Sequence, residues 1–473
     1  MAIFRVTASK DNTISNAYEV NLVTRGTGSN MGASDILEVF MIYGQATSAS
    51  IELARCLIEF PLDEIIRKRN VTKEIPASGS VEFFLNLYNA PHTEPVPSDF
   101  TLCVSPVSQS WQEGKGLDMV EYSDLTYDRE GSNWINAASG TTWTSAGGDY
   151  LAADVIKATF PEGTEDMKLN VTNIVEDWIT GSAGGQYDNY GFGIQLSSSH
   201  ETDTKSFFTK KFFARNSEFF FKRPTLEARW DDSLKDHRGS FYASSSLQSA
   251  SDNLNTIYLY NRVRGVLTDY PVAPTSASFR TTAADSGTEI VKFAVTKPAN
   301  TTGTYKVEAH VNTTASTIYD VWFSGSTAYH TGTIDISNFA ANVLDQESKY
   351  VLSLVNNDYK YQSKQKARFK LYTRLKNWSP NLYTVAQKTP ENLIIEDAIY
   401  RIYRVSDGEE IIPYSSGSTK FTQLSYNVSG NYFDIDMSTF ETGYEYGIQV
   451  SFYNDYLKSY KEQPYVFKFK VVE

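Results

Sequence analysis

Short segments in which apolar and polar residues alternate recur along the whole chain. One of them, "ARCLIEF", begins at Ala54 and places Cys56, Ile58 and Phe60 on one face, and another, "SVEFFLNLYNA", covers residues 80–90. Alternation with a period of two is typical of strands that are buried on one side. The 31 tyrosines and 27 phenylalanines favour pleated surfaces as well. The sequence therefore predicts an all-β protein.

Helical patterns are short by comparison. A helical turn is predicted through Asp63 to Arg67, after a strand that a proline ends. A second short helix is predicted around Asn173 to Ile179, with Gly181 as its stop. Both are expected to be minor elements inside a β domain.

Length and charge limit the classes of protein that fit. A chain of 473 residues is too long for one hydrophobic core and predicts several domains. The net charge of -13 argues against a nucleic-acid partner, since phosphate binding needs clustered Lys and Arg. No run of apolar residues is long enough to predict a membrane span, and the N-terminus has no apolar signal region. Cys56 and Cys103 are expected to be small buried hydrophobes.

A set of motifs marks the first half of the chain. They occur in the order "CLIEF", "SWQEG", "GTTW", "GGDY", "IVEDWITG" and "NYGFGIQL". Together they resemble the DNRLRE-type, carbohydrate-module-like domain, over about residues 1–231. The resemblance implies a jelly-roll-like β-sandwich in which Trp111 and Trp178 are structural motif residues.

The tryptophans of these motifs have two interpretations. Trp134 and Trp143 are the candidate carbohydrate contacts, because an exposed indole ring stacks on a pyranose ring. A tryptophan inside a β-sandwich is more commonly a core residue. Trp111 is expected to pack inward, with the following "EGKG" turning the chain out of the sheet through glycine conformations that other residues resist.

Residues 232–251 are rich in Ser and charge and are interpreted as a linker, or as a strap that lies on a neighbouring domain. Together with the first domain, this linker resembles structural proteins of tailed bacteriophages. The resemblance implies a virion protein that is assembled in the host cytoplasm.

An internal repeat appears further along the chain. "LDQESKYVLSL" and "FETGYEYGIQV" each place an apolar residue six positions before a tyrosine, Tyr350 and Tyr446, and "NDY" follows both. Two tandem domains are predicted, at about 252–373 and 374–473. The tyrosine pattern resembles the tyrosine corner of fibronectin type III and other immunoglobulin-like sandwiches, in which the ring packs on the core and the hydroxyl ties down the crossover.

Patterns for catalysis are weak. The five histidines lie apart, and no phosphate-binding loop is found. An acidic loop and the pair Glu176 and Asp177 leave a glycosidase and a structural calcium site open, although a solvated surface is the ordinary interpretation. The loop carboxylates are Glu113, Asp118, Glu121, Asp124, Asp128 and Glu130.

We therefore expect a protein that is not an enzyme and holds no cofactor. It is expected to be a structural protein of a tailed-phage virion, in the neck, the tail or attached to the capsid, and to act through assembly with other virion proteins and with copies of itself. The alternative is a carbohydrate-binding module for host attachment, with a host surface glycan as its partner.

Overall fold

The computed structural model describes residues 2–93, 96–117, 131–181, 188–284, 287–298, 301–337, 350–378, 392–415, 419–454 and 457–473. The protein is all-β: a jelly-roll-like N-terminal sandwich is followed by two immunoglobulin-like sandwiches. Its residues form two compact units. One unit holds Ile3–Thr72 and Ala77–Arg229, and the other holds Trp230–Glu473 with two short pieces from the N-terminal part. Among the described residues, no helix is long and apolar enough to cross a bilayer.

The N-terminal sandwich consists of two antiparallel sheets. Its strands are β1 (Ile3–Thr7), β2 (Lys10–Ser15), β3 (Ile36–Tyr43), β4 (Ile51–Glu59), β5 (Glu82–Leu87), β6 (Phe100–Pro106), β7 (Asn136–Ala138), β8 (Thr141–Thr142), β9 (Ile156–Phe160), β10 (Met167–Asn170), β11 (Phe192–Leu196), β12 (Phe207–Phe213) and β13 (Thr225–Arg229). One sheet has the order β1-β13-β5-β10 and the other β12-β3-β4-β11-β6-β9, with β2 sharing one edge of β4 with β3. The strands β7 and β8 form a separate hairpin.

Short helices connect these strands. Helix α1 (Asp63–Asn70) and helix α2 (Thr172–Thr180) lie where the sequence predicts helical turns, and α3 (Ser198–Glu201) is a single turn. Gly181, with φ at 60°, follows the last residue of α2, as expected of a helix stop. Single 3-10 turns lie at Ala152–Asp154, Phe220–Lys222, His237–Gly239 and Met437–Thr439.

The first immunoglobulin-like sandwich follows. Its strands are β14 (Phe241–Tyr242), β15 (Asn255–Tyr260), β16 (Arg262–Val263), β17 (Val266–Leu267), β18 (Ser276–Arg280), β19 (Glu289–Ala294), β20 (Thr304–Ala309), β21 (Thr317–Ser324) and β22 (Thr327–Ser337). One sheet has the order β14-β22-β21-β18-β19, and the facing sheet pairs β15 with β20. Trp322 is fully buried in the core between them.

The second immunoglobulin-like sandwich completes the chain. Its strands are β23 (Tyr350–Leu354), β24 (Lys360–Gln362), β25 (Lys366–Leu375), β26 (Ala398–Arg404), β27 (Glu410–Ile412), β28 (Ser425–Asn427), β29 (Gly430–Asp436), β30 (Glu445–Asn454) and β31 (Ser459–Val472). The sheets have the orders β23-β25-β29-β28 and β24-β31-β30-β26-β27. Aromatic rings fill the space between them; Tyr400 and Phe433, for example, stack with centroids 4.3 Å apart.

A parallel pair with the last strand lies near the start of both immunoglobulin-like sandwiches. In the first, β14 pairs with the last strand, β22, and in the second, β24 pairs with the last strand, β31. This pairing corrects the boundary predicted between residues 373 and 374, because β23, β24 and β25 all pair with strands of the second sandwich. It also corrects the start predicted at residue 252, because β14 lies inside the predicted linker.

The internal repeat has a different meaning from the one predicted. In its first copy, β23 and β25 open the second sandwich, while in its second copy β30 and β31 close the same sandwich in the facing sheet. The two copies are therefore two pairs of strands in one domain and not equivalent parts of two domains. The residues just before Tyr350 lie outside the described residues.

Candidate functional site

Three of the predicted tryptophans meet in one apolar cluster of the N-terminal sandwich. Trp111, Trp134 and Trp143 are 3%, 7% and 4% exposed. The Trp111 Nε1–H donates to the Tyr190 carbonyl at 2.8 Å, and the Trp143 Nε1–H donates to the Asn133 carbonyl at 2.8 Å. Trp111 packs inward, as expected. Trp134 and Trp143 offer no exposed face to a sugar ring, which corrects the carbohydrate contact predicted for them.

An ion pair covers one side of this cluster. The Arg55 guanidinium carbon lies 5.2 Å from the Trp134 ring centroid. The same group donates to both carboxylate oxygens of Glu201, at 2.9 and 2.7 Å, and to the Gly147 carbonyl at 2.9 Å. The positive charge of Arg55 is therefore already paired with Glu201 inside the protein.

The turn after Trp111 is organised by a buried asparagine. The Asn30 side-chain amide donates to the carbonyls of Glu113 and Ser132, at 2.7 and 2.8 Å, and its oxygen accepts from the Gly116 N–H at 2.9 Å. Gly114 has φ at 84°, and a Cβ added to it would lie 2.4 Å from Asn30 Oδ1. This part of the "EGKG" segment is a structural corner.

Two of the candidate carboxylates that the structure describes, Glu113 and Glu176, are paired with arginines. Both carboxylate oxygens of Glu113 accept from Arg215, at 2.5 and 2.8 Å, and those of Glu176 accept from Arg69, at 2.5 and 2.8 Å. In the described ranges, no group of three or more His, Cys, Asp or Glu side chains is placed to hold a metal. These two carboxylates therefore support neither the glycosidase hypothesis nor the calcium hypothesis. The other loop carboxylates, Asp118, Glu121, Asp124, Asp128 and Glu130, lie outside the described residues.

The remaining motif residues lie apart from one another. Trp178 is buried on α2 against Phe192, with ring centroids 4.7 Å apart. The Tyr446 hydroxyl donates to the Glu441 carbonyl at 2.7 Å, and its ring lies 4.8 Å from that of Phe440, the apolar residue six positions earlier. These are the contacts of a tyrosine corner.

Tyr350 lies at a different place in its sandwich, and the residues five and six positions before it lie outside the described residues. It begins β23, and its carbonyl accepts from the Tyr465 hydroxyl at 3.2 Å. Its ring meets Phe452 edge-on at 5.3 Å. Tyr350 therefore opens a sandwich instead of closing one, and the tyrosine corner there stays a prediction, because its partner residues lie outside the described residues.

Part of the predicted linker is a strap between the two immunoglobulin-like sandwiches; we use the name strap for residues 234–242. Its first residues lie alongside β28 of the second sandwich. There the Leu234 carbonyl accepts from the Tyr426 N–H at 3.0 Å, and the Asp236 N–H donates to the Tyr426 carbonyl at 3.2 Å. Its last two residues are β14, which pairs with β22 of the first sandwich. The strap thus bonds to both sandwiches, as one of the two interpretations of the linker expected.

A histidine in the strap joins the same two sandwiches. His237 Nδ1 accepts from the Thr256 N–H at 2.9 Å, and its Nε2 lies 2.9 Å from the Tyr426 hydroxyl. Because Nδ1 accepts, the ring proton belongs on Nε2, which donates to the hydroxyl. Burial lowers the pKa of His237 and raises the pKa of Asp236 to about 6.

The next strap residue holds a buried carboxylate. Arg238 donates to both oxygens of Asp320 on β21, at 2.7 and 2.6 Å, and Asp320 is fully buried. The Trp322 Nε1–H donates to the same carboxylate at 2.6 Å. This cluster could not be predicted from the sequence, since nothing in the spacing of residues 238 and 320 links them.

A groove of about 620 Å³ lies beside the strap. Its lining combines aliphatic, hydroxyl and amide groups, including those of Tyr242, Leu247 and Asn253, with two carboxylates, Asp252 and Glu396, and the imidazole of His237. Leu247 is 94% exposed. Such a lining suits a polypeptide surface better than a reacting small molecule, because both ring nitrogens of its histidine, His237, are already hydrogen-bonded within the protein.

No family model matches this chain, and no curated protein matches it. Among solved structures, it is similar to the adhesin InvE of Yersinia pseudotuberculosis, with 10% identity over 46% of this chain and 54% of that chain and a TM-score of 0.15. It is also similar to the titin domains z1z2 in complex with telethonin (13% identity, 47% of this chain and 88% of that chain, TM-score 0.13). A third similarity is to trypsin-activated alpha-2-macroglobulin from Escherichia coli (8% identity, TM-score 0.17), of which this chain covers 29%. The chain spans about half the length of the adhesin chain. TM-scores this low do not establish a shared fold. The two C-terminal domains are described as immunoglobulin-like because of the strand order given above.

Proposed function

We propose that this chain is a structural protein of a tailed-phage particle and acts through protein–protein assembly. The observation that carries the proposal is the strap, which hydrogen-bonds to both immunoglobulin-like sandwiches and so holds them as a joint surface. A fixed surface binds a partner with less loss of conformational entropy than two domains on a free linker.

The use of charged and aromatic side chains supports the same function. The candidate tryptophans are buried, and two of the described candidate carboxylates, Glu113 and Glu176, are paired with arginines. These residues hold the fold together instead of facing a ligand. The exposed groove beside the strap is where we expect a neighbouring particle protein to contribute to a contact, and a stable contact buries on the order of 1,000 Å² or more. Repetition over the particle would multiply its affinity.

The test is assembly of the full chain in solution and on the particle. Light scattering measures its mass alone and after mixing with purified particles from which loosely attached proteins have been stripped. The proposal expects a defined oligomer that rebinds the stripped particle. A monomer that ignores the particle would contradict it, and saturable binding of that monomer to host polysaccharide would favour the attachment-module alternative instead.

A pair of variants tests the role of the strap in this assembly. Asp320→Asn removes the charge that holds Arg238, and we expect rebinding to weaken at least tenfold. Asp434→Asn removes a partner of Arg368 in an exposed ion pair, with side chains 46% and 41% exposed, and serves as the matched control. Equal rebinding by both variants would show that the joint surface is not what the particle recognises.

A further inference from the structure

A buried lysine lies where the two sheets of the N-terminal sandwich meet. Lys210 on β12 is 1% exposed. Its Nζ donates to the carbonyls of Gly163 and Glu165, both at 2.8 Å, and to Asn89 Oδ1 at 2.7 Å. Its ammonium also lies 4.9 Å from the ring centroid of Phe160. A lysine in such an apolar site is normally held by a carboxylate, whereas here a side-chain carboxamide is a direct partner.

The carboxamide of Asn89 is held from several sides. Asn89 follows β5 and forms a bridge with Phe212 on β12, so its backbone is fixed beside the lysine strand. Its N–H donates to Asp166 Oδ1 at 2.7 Å, and His92 Nε2 lies 3.2 Å from its Oδ1. The Asn89 Cγ atom is one carbonyl bond, about 1.2 Å, beyond an oxygen that the lysine nitrogen already touches.

A carboxylate beside this pair has an unused oxygen. Glu165 Oε1 accepts from the Glu162 N–H at 2.7 Å, while its Oε2 is buried and has no hydrogen-bond partner. The carbonyl of the same residue accepts from Lys210. Desolvation raises the pKa of Glu165, but backbone N–H hydrogen bonds and the nearby charge of Lys210 outweigh it and lower the pKa, so the carboxyl is ionised and can take up a proton from Lys210.

We propose that Lys210 and Asn89 form an intramolecular isopeptide bond. The Lys210 nitrogen attacks Asn89 Cγ, a C–N bond forms, and the bond from Cγ to Nδ2 breaks. Nδ2 leaves as ammonia and takes up a proton that Lys210 has lost, with Glu165 as the carrier. One amine and one carboxamide give one secondary amide and ammonia, so no oxidant or other co-reactant is consumed.

The surroundings favour the reactive form of each partner. Burial lowers the pKa of Lys210 to about 8, which increases the share of neutral amine near neutral pH. The carbonyls of Gly163 and Glu165 hold two of its N–H groups, and the third N–H points at Asn89 Oδ1. After this proton is lost, a turn of the carboxamide brings Cγ to the lone pair of Nζ. A donor on His92 Nε2 stabilises the negative charge that develops on Oδ1 during attack.

The bond would close a long loop. Residues 89 and 210 lie 121 positions apart, and their cross-link would tie the end of β5, in one sheet, to β12 in the other. A covalent link of this span restricts the unfolded chain and stabilises the folded domain, as a disulfide does in secreted domains. Unlike a disulfide, it would persist in a reducing compartment.

The decisive measurement is the intact mass of the purified, unmodified chain. The proposal expects a mass lower than the sequence mass by about 17 Da, one ammonia. A tryptic digest is expected to yield one branched peptide that joins Asn89 to Lys210, with cleavage after Lys210 blocked. A full sequence mass after incubation at pH 9, with both peptides linear, would overturn the proposal.

Three variants assign the roles. Asn89→Ala is expected to abolish the mass loss, and Glu165→Gln is expected to slow its appearance at least tenfold in a refolding time course. Lys211→Arg is the matched control, because the neighbouring lysine forms a separate ion pair with Glu38 at 2.9 Å and should leave the mass loss unchanged. Mass loss that persists in Asn89→Ala would assign the ammonia to another site and overturn the proposal.

Discussion

The N-terminal sandwich and the two immunoglobulin-like sandwiches bury charge in different places. In the N-terminal sandwich, Glu227 is 1% exposed and lies between Arg5 and Arg229, which joins β1 to β13. Ion pairs of the second immunoglobulin-like sandwich, such as that of Arg368 with Asp434, are about half exposed. Its interior is filled by stacked aromatic rings instead.

The difference shows what buried charge does in this chain. The pair of Arg238 and Asp320 is the counterpart in the immunoglobulin-like part, and it lies where the strap meets the first sandwich. In both parts, buried ion pairs join segments that are far apart in sequence. A hydrogen-bonded charge pair is satisfied in few geometries, so it specifies how such segments meet more strictly than apolar contact does.

The largest effect is expected at the buried carboxylate of the N-terminal sandwich. Glu227→Gln removes the negative charge between Arg5 and Arg229, and we expect the free energy of unfolding to fall by about 3 to 5 kcal/mol. Urea unfolding followed by tryptophan fluorescence measures it. Asp434→Asn, at the exposed pair, should cost about 1 kcal/mol or less. Similar losses at both sites would remove the distinction between the two regions.

The second-largest effect on stability is expected at the strap. Asp320→Asn weakens the charged hydrogen bonds of Arg238, and we expect a loss of about 2 to 3 kcal/mol in the immunoglobulin-like part. Limited proteolysis should then cut within residues 232–251 faster than in the wild type, because the strap is held less firmly. An unchanged rate of cleavage there would show that Arg238 does not hold the strap in place.

A smaller effect is expected at the corner after Trp111. Gly114 and Gly140 both have positive φ, 84° and 76°, but only a Cβ added to the first would contact Asn30, while one added to the second would have nothing within 4 Å. Both changes to alanine should cost about 1 kcal/mol for backbone strain. Gly114→Ala should cost more, by about 1 to 2 kcal/mol of overpacking. Equal melting temperatures for the two variants would contradict the structural role of Asn30.

The smallest effect concerns pH and separates the strap from the N-terminal sandwich. Because the pKa of His237 is lowered by burial, its neutral form is favoured on folding, so this contribution to stability is present above about pH 6.5 and is lost as the pH falls. Asp236, whose pKa is raised to about 6, acts in the opposite direction. The difference in unfolding free energy between wild type and His237→Gln isolates the histidine and should shrink from pH 7.5 to pH 5.5. A constant difference would exclude the effect.

Several elements could be predicted because their signals are local. The helix stop at Gly181 depends on local backbone conformation, and the corner after Trp111 depends on the glycines that follow it. The contact of Tyr446 with Phe440 lies within six positions and was predictable for the same reason. Tyr350 carries the same local pattern but opens a sandwich, which the pattern could not reveal because sequence spacing does not show which strand a segment pairs with.

The amino-acid sequence by itself determined that the chain is all-β, where its short helices lie, and that more than one sandwich forms, because periodicity, turn residues and length act locally or on average. Only the tertiary structure decided where one immunoglobulin-like sandwich ends and the next begins, that Trp134 and Trp143 are buried, and that Lys210 meets Asn89. Those outcomes depend on pairings across about 100 residues or more, which are selected by the packing of whole sheets and leave no periodic trace in the chain.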